Sequence, residues 1–202
     1  AAFAEILGRL AAELPQRWIS FADITYDGRV IAQRELSKAA ICHSRKIAPL
    51  AMKLKGLEQE ILEKVHALHG NRMCKLETFA LRYPEHALEV EAFARLLSIR
   101  ESAALLKEIR KFTEINLLDV YRRLFGDKGT FYRLAAGIAL PENIEEIRRL
   151  TLRQLEAGPL WQEDAQALFY LYLKVSGCGE YGHFRQVVLD EAQDEHPLYL
   201  LP

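Results

Sequence analysis

A mainly α fold, with a small N-terminal β-hairpin and a C-terminal helix and strand from an α/β core, is what three features of this 202-residue chain predict. Apolar residues recur in steps of three and four through most of the chain, a single Asp27-Gly28 pair interrupts a β-rich run, and the apolar triplet Val187-Val188-Leu189 leads straight into acidic residues. The first pattern is that of amphipathic helices, the second that of a tight hairpin, and the third that of a buried strand.

Phe3, Ile6, Leu7, Leu10 and Leu14 share one helical face, and Pro15 is expected to end that helix. Ile19, Phe21, Ile24 and Tyr26 form the β-rich run. Asp27-Gly28 readily takes the positive φ angles of a two-residue turn, and Arg29-Val30-Ile31 returns, which places a hairpin near residues 19–31. Ile47, Leu50, Leu54, Leu57, Ile61, Val65 and Leu68 then draw a narrow stripe along a helix that Gly70 is expected to close. Leu88, Ala92, Leu96, Ile99, Ala103, Leu106 and Ile109 draw a second stripe, with Pro84 near its start. Two stripes of similar length predict an antiparallel helical arm in which Leu57 and Leu96 face inward, projecting from the end that carries Asp190. Shorter helices are expected over 117–125 and 144–155, the latter entered through Pro141-Glu142 and closed by Gly158-Pro159. Residues 165–175 are apolar nearly all round, as suits a helix buried against a sheet. The domain boundary falls near Gly158: residues 1–157 form a helical module with its hairpin, and 158–202 the edge of an α/β core.

Half the residues are hydrophobic and the net charge is −1, yet charges interrupt every apolar run well before the ~18 residues of a membrane span. A soluble, cytoplasmic protein with no membrane partner is expected. Cys42, Cys74 and Cys178 are too few and too scattered for a disulfide framework.

Chemistry concentrates at the C-terminal end. A run of branched apolar residues feeding Asp190-Glu191 reads as a Walker B element, because ligands of open α/β sheets bind just beyond the carboxyl ends of the strands. An acidic residue there holds Mg²⁺ while its neighbour polarises the water that attacks a γ-phosphate, so Asp190 and Glu191 are the expected metal ligands of a Mg-ATP site and Glu191 its base. No stretch matches G-x-x-x-x-G-K-[ST], so this chain by itself is expected not to hydrolyse ATP. With Ala1 rather than methionine first and Pro202 soon after the acidic cluster, it reads as an excised fragment. Gly177-Cys178-Gly179-Glu180-Tyr181-Gly182 formally fits G-x-G-x-x-G. It follows a helix and precedes a strand, the reverse of a dinucleotide site, and is expected to be a helix stop.

The string Phe184-Arg185-Gln186-Val187-Val188-Leu189-Asp190-Glu191-Ala192-Gln193-Asp194, followed by Pro197 and Leu198, resembles motif II of the UvrD/Rep branch of superfamily 1 helicases. Three more stretches resemble the HelD-like, helicase-IV-related subgroup: Asp23 through Ile31, Leu118-Asp119-Val120-Tyr121-Arg122-Arg123-Leu124-Phe125, and Glu163 through Lys174. The resemblance implies a 1B-like helical insertion interrupting a RecA-like core between its P-loop and motif II. It gives Gln193 and Asp194 the task of coupling the nucleotide site to the rest of the motor. Glu195 departs from the aromatic or small residue usual in the family. DNA and the remaining helicase domains are the implied partners, with RNA polymerase the alternative if the arm is a protein-binding lever.

Residues 29–76 hold ten Lys or Arg against four Glu, an excess of six positive charges that suits a nucleic-acid backbone, and Lys46, Lys53 and Lys64 are the candidate contacts. No aromatic residues interleave for base stacking. His66, His69 and Cys74 lie close in sequence but lack a fourth zinc ligand at a suitable spacing, and are expected to be exposed polar residues.

Overall fold

The computed structural model describes residues 2–45, 47–82, 88–179, 183 and 188, and these are mainly helical with one two-stranded antiparallel sheet. They divide into two compact units. One comprises the described residues of Ala1–Trp18, Ala48–Leu50 and Ile115–Pro202, the other those of Ile19–Ile47 and Ala51–Glu114. The division falls at the hairpin and at the end of the arm, with Gly158 inside the first unit.

In the first unit α1 spans Ala2–Glu13 and buries Ile6, Leu7 and Leu10, as its stripe predicts. Pro15 does not stop the chain: Leu14–Trp18 continue as one wider π-helical turn, which keeps Leu14 buried. Helix α5 (Leu117–Gly126) is capped by Asn116, whose Oδ1 accepts from the Leu118 and Asp119 amides. The short α6 (Lys128–Leu134) starts from Asp127, and α7 (Ile144–Ala157) ends at Gly158, whose φ of 118° only glycine takes without strain. Helix α8 (Gln162–Ser176) packs on α1 and α5. The expectation that α8 is buried nearly all round is therefore corrected: helices cover one side, burying Ala167, Tyr170, Leu171 and Val175, while Phe169 and Tyr172 are exposed, and the strand expected beside it lies outside the described residues but for Val188. The chain leaves α8 at Gly177, with a φ of 76° and a Cβ position only 2.6 Å from the Pro49 ring, so Gly177 is the helix stop. Of the strand expected over 187–189 only Val188 is described. Val188 is 81% exposed, and the rest of that expected strand lies outside the described residues.

In the second unit β1 (Ile24–Tyr26) and β2 (Arg29–Ala32) pair across the predicted turn, with Asp27 and Gly28 at φ of 51° and 75°. Helix α2 (Arg34–Cys42), which no periodicity announced, begins where Asp23 Oδ1 accepts the Arg34 amide at 2.6 Å. Helix α3 runs over Leu50–Arg82 and α4 over Val90–Thr113. Glu58 of α3 accepts from Thr113 Oγ1 at 3.0 Å and meets Arg110, while Arg72 pairs with Glu101, so the two helices run antiparallel.

Three details of the expected arm are overturned, the first being that Ile47 lies before α3 and is fully exposed instead of opening its buried stripe. Gly70 does not close α3, because one exposed glycine costs a helix only ~1 kcal/mol while Leu76 and Ala80 continue the buried stripe beyond it. The phase of α4 is also different: Leu57 is buried as expected, but Leu96 is 54% and Ile99 68% exposed, with Leu88, Ala92 and Ala103 exposed beside them. The inward positions are Ala94, Ser98, Ile109, Phe112 and Thr113. Phe112 stacks on Phe21 with ring centroids 5.6 Å apart and fixes the helix rotation, and one residue of phase turns a helix by about 100°.

Candidate nucleic-acid interface

The basic half of the arm is held by a knot of charge at the hairpin turn. Asp27 Oδ2 accepts from Lys75 Nζ at 2.5 Å and its Oδ1 lies 3.4 Å from Arg72 Nη1, which joins the turn to α3. Arg72 in turn grips Glu101 of α4 with both arms of its guanidinium, Nε at 2.9 Å from Oε2 and Nη2 on Oε1. Beside the knot Tyr26 Oη lies 3.4 Å from His69 Nδ1, so His69 is half-buried against the hairpin while His66 is exposed. Nothing in the sequence links residues 27, 72, 75 and 101 to one another. The separations of 29 to 48 positions leave no local pattern, and Asp27 reads there only as a turn residue.

The hydrogen bond from Lys75, helped by the Lys75 and Arg72 charges, holds the Asp27 carboxyl below its ordinary range. A carboxylate lowered in the folded state stabilises the fold above its unfolded pKa and loses that contribution as the pH falls through its folded value. Asp27→Asn should therefore be less stable than wild type at neutral pH in urea unfolding, with the gap closing below about pH 4. A gap that stays constant down to about pH 2 would mean the Asp27 charge does not hold the turn.

With Arg72 and Lys75 engaged, the cations available to a ligand lie elsewhere. Arg29, Lys38, Arg45, Lys53 and Lys55 make no ion pair among the described residues. Of the three candidate contacts, Lys53 is half-buried on α3, and Lys64 is exposed with Nζ 2.8 Å from Glu60 Oε1 one turn earlier. An exposed pair of that spacing is worth only ~0.3–0.5 kcal/mol and yields readily to a phosphate. Lys46 lies outside the described residues, as do Asp190, Glu191, Gln193 and Asp194.

Among the described residues no group of three or more His, Cys, Asp or Glu is placed to hold a metal ion. No described helix is long and apolar enough to cross a membrane. Comparison with protein-family models, with curated proteins and with solved structures yields no match to this chain.

Proposed function

We propose that this chain belongs to an ATP-dependent DNA helicase or translocase of the UvrD/Rep branch of superfamily 1, with a pattern like that of HelD-like proteins. Its helical part would be a 1B-like insertion and its last residues the motif II edge of a RecA-like core. The observation that carries the reading is the string from Phe184 to Asp194 in the sequence, in which two adjacent carboxylates follow an apolar run. That donor set suits a hard, oxygen-seeking cation such as Mg²⁺. Bound Mg-ATP supplies the transferable phosphoryl group and the counter-charge to its oxygens. On this reading Asp190 holds the metal, Glu191 takes the proton of the attacking water, and Gln193 and Asp194 relay the state of the site to the other motor domains of the same chain. The setting would be cytoplasmic.

The arm's part is to hold DNA by its phosphates, without regard to sequence. Affinity for a labelled single-stranded oligonucleotide should fall steeply between about 50 and 200 mM salt. Replacing Lys46, Lys53 and Lys64 together by Glu should abolish it while leaving the far-ultraviolet circular dichroism unchanged. Undiminished binding by the triple variant removes these lysines from the interface.

A second reading is favoured by one observation, the exposed apolar row Ala92, Leu96, Ile99 and Ala103 along α4. Phosphates gain nothing from such a row, whereas a protein surface does. On that reading the arm is a lever that docks on a protein partner such as RNA polymerase.

A further inference from the structure

The first unit contains a cavity of about 730 Å³ among α1, α5, α6, α7 and the start of α8, within the size range of small-molecule sites. Five aromatic side chains line it: Phe3, Tyr121, Phe125, Phe131 and Trp161. Phe3 and Tyr121 lie with ring centroids 5.8 and 5.0 Å from that of Phe125. Among the described residues the charged groups in the lining are the carboxylates Glu163 and Asp164, and the buried Arg148 guanidinium lies over the Phe131 ring, 5.3 Å from its centroid, without itself lining the cavity.

Asp164 is the unusual member. It is only 5% exposed, and Tyr121 Oη donates to its Oδ1 at 2.9 Å. Its Oδ2 is buried with no hydrogen-bond partner. A buried carboxylate oxygen left unmatched is costly, and a cation placed against it offsets that cost. Burial pushes the Asp164 carboxyl above its ordinary range, the direction expected of an acid short of a counter-charge. Aromatic faces around such a carboxylate attract the same kind of ligand, because an ammonium is drawn to the negative face of a ring.

We propose that this cavity binds a small organic amine, with the ammonium between the Glu163 and Asp164 carboxylates once the Asp164 carboxylate turns its sealed Oδ2 into the cavity, and an aromatic or alkyl body among the Phe3, Phe125 and Trp161 rings. The site is independent of the nucleotide chemistry proposed above, since none of its residues belongs to the acidic motif. An anionic ligand is disfavoured by two carboxylates in a lining that includes no described cation, Arg148 being engaged behind the rings by Glu145 and the Phe125 carbonyl. A neutral apolar ligand would fill the rings and leave Oδ2 as it is.

Isothermal titration of the full chain with three probes of matched shape tests this: 2-phenylethylammonium, 2-phenylethanol and 3-phenylpropanoate. The ammonium should bind saturably, one per chain, at least tenfold tighter than the alcohol, and the carboxylate weakest of the three. In Asp164→Asn the preference for ammonium over alcohol should vanish while the alcohol still binds. Ile147→Trp, which narrows the cavity at a partly exposed lining position without touching the Tyr121 to Asp164 bond, should weaken all binding at least tenfold and serves if the Asn variant does not fold. Equal affinity of wild type for ammonium and alcohol, no saturable binding of the ammonium, or a preference that survives in Asp164→Asn would each overturn the proposal.

Discussion

In the longer ATP-hydrolysing protein to which this chain is proposed to belong, Glu191→Gln is expected to lower kcat by about 10²–10⁴-fold, the usual range for loss of a positioned general base. Gln keeps the length and shape of the side chain, so ATP binding should be little changed and the loss should lie in turnover, read as a KM that stays while kcat falls. Its amide cannot accept the proton of an attacking water. Asp190→Asn should instead raise the Mg²⁺ concentration needed for half-maximal rate, separating the two adjacent roles. An unchanged kcat in Glu191→Gln would remove the motif from the chemistry. The chain of residues 1–202 alone should release no phosphate from ATP, since no G-x-x-x-x-G-K-[ST] stretch exists to hold the phosphates; turnover by it would require a nucleotide site of another kind.

The largest effect on stability should come from the α3 stripe. Leu54 and Ile61 are fully buried, and truncating either to Ala removes apolar contact and leaves a cavity, at a cost of ~2–5 kcal/mol. For a chain of this size that corresponds to a fall in Tm of roughly 2–4 °C per kcal/mol. Leu96→Ala, at an exposed site, should stay within about 0.5 kcal/mol of wild type. The pair therefore tests the rotation of α4. If Leu96→Ala costs as much as Leu54→Ala in urea unfolding, the larger aliphatic stripe faces inward after all.

Where local chemistry decided an element, the sequence was a sound guide. Asp27-Gly28 set the hairpin, Gly158 ended α7 and the spacing of Ile6, Leu7 and Leu10 placed the buried face of α1. Tertiary packing decided the rest. The rotation of α4 was set by Phe112 against Phe21 and by the fit of small Ala94 and Ser98, so the larger aliphatics at 96 and 99 misled. The short helices α2 and α6 have too few turns to show a period, and the start of α2 depends on Asp23, eleven residues away. The candidate site divides the same way. Adjacent carboxylates are visible in a string, whereas the joining of Asp27, Arg72, Lys75 and Glu101 exists only once the chain has folded. Tyr121 and Asp164, separated by 43 positions, belong to that second kind.

The grip of Arg72 on Glu101 makes the helix pair a cantilever. One clamp lies where Glu58 meets Arg110 and Thr113, the next at Arg72 and Glu101, and beyond the second α3 runs ten more residues to Arg82, about 15 Å of rod. Along that overhang α3 buries Leu76 and Ala80, and α4 buries only Ala94 and Ser98. Fewer α3 side chains are buried there than between Leu54 and Val65, so the overhang is the part of the pair expected to open first. Amide hydrogen exchange along α3 should accordingly be graded, slowest near Ile61 and progressively faster from Arg72 toward Arg82. A force applied to the overhang is felt at the Asp27 turn before it reaches Glu58, which makes the hairpin the strain gauge of this rod.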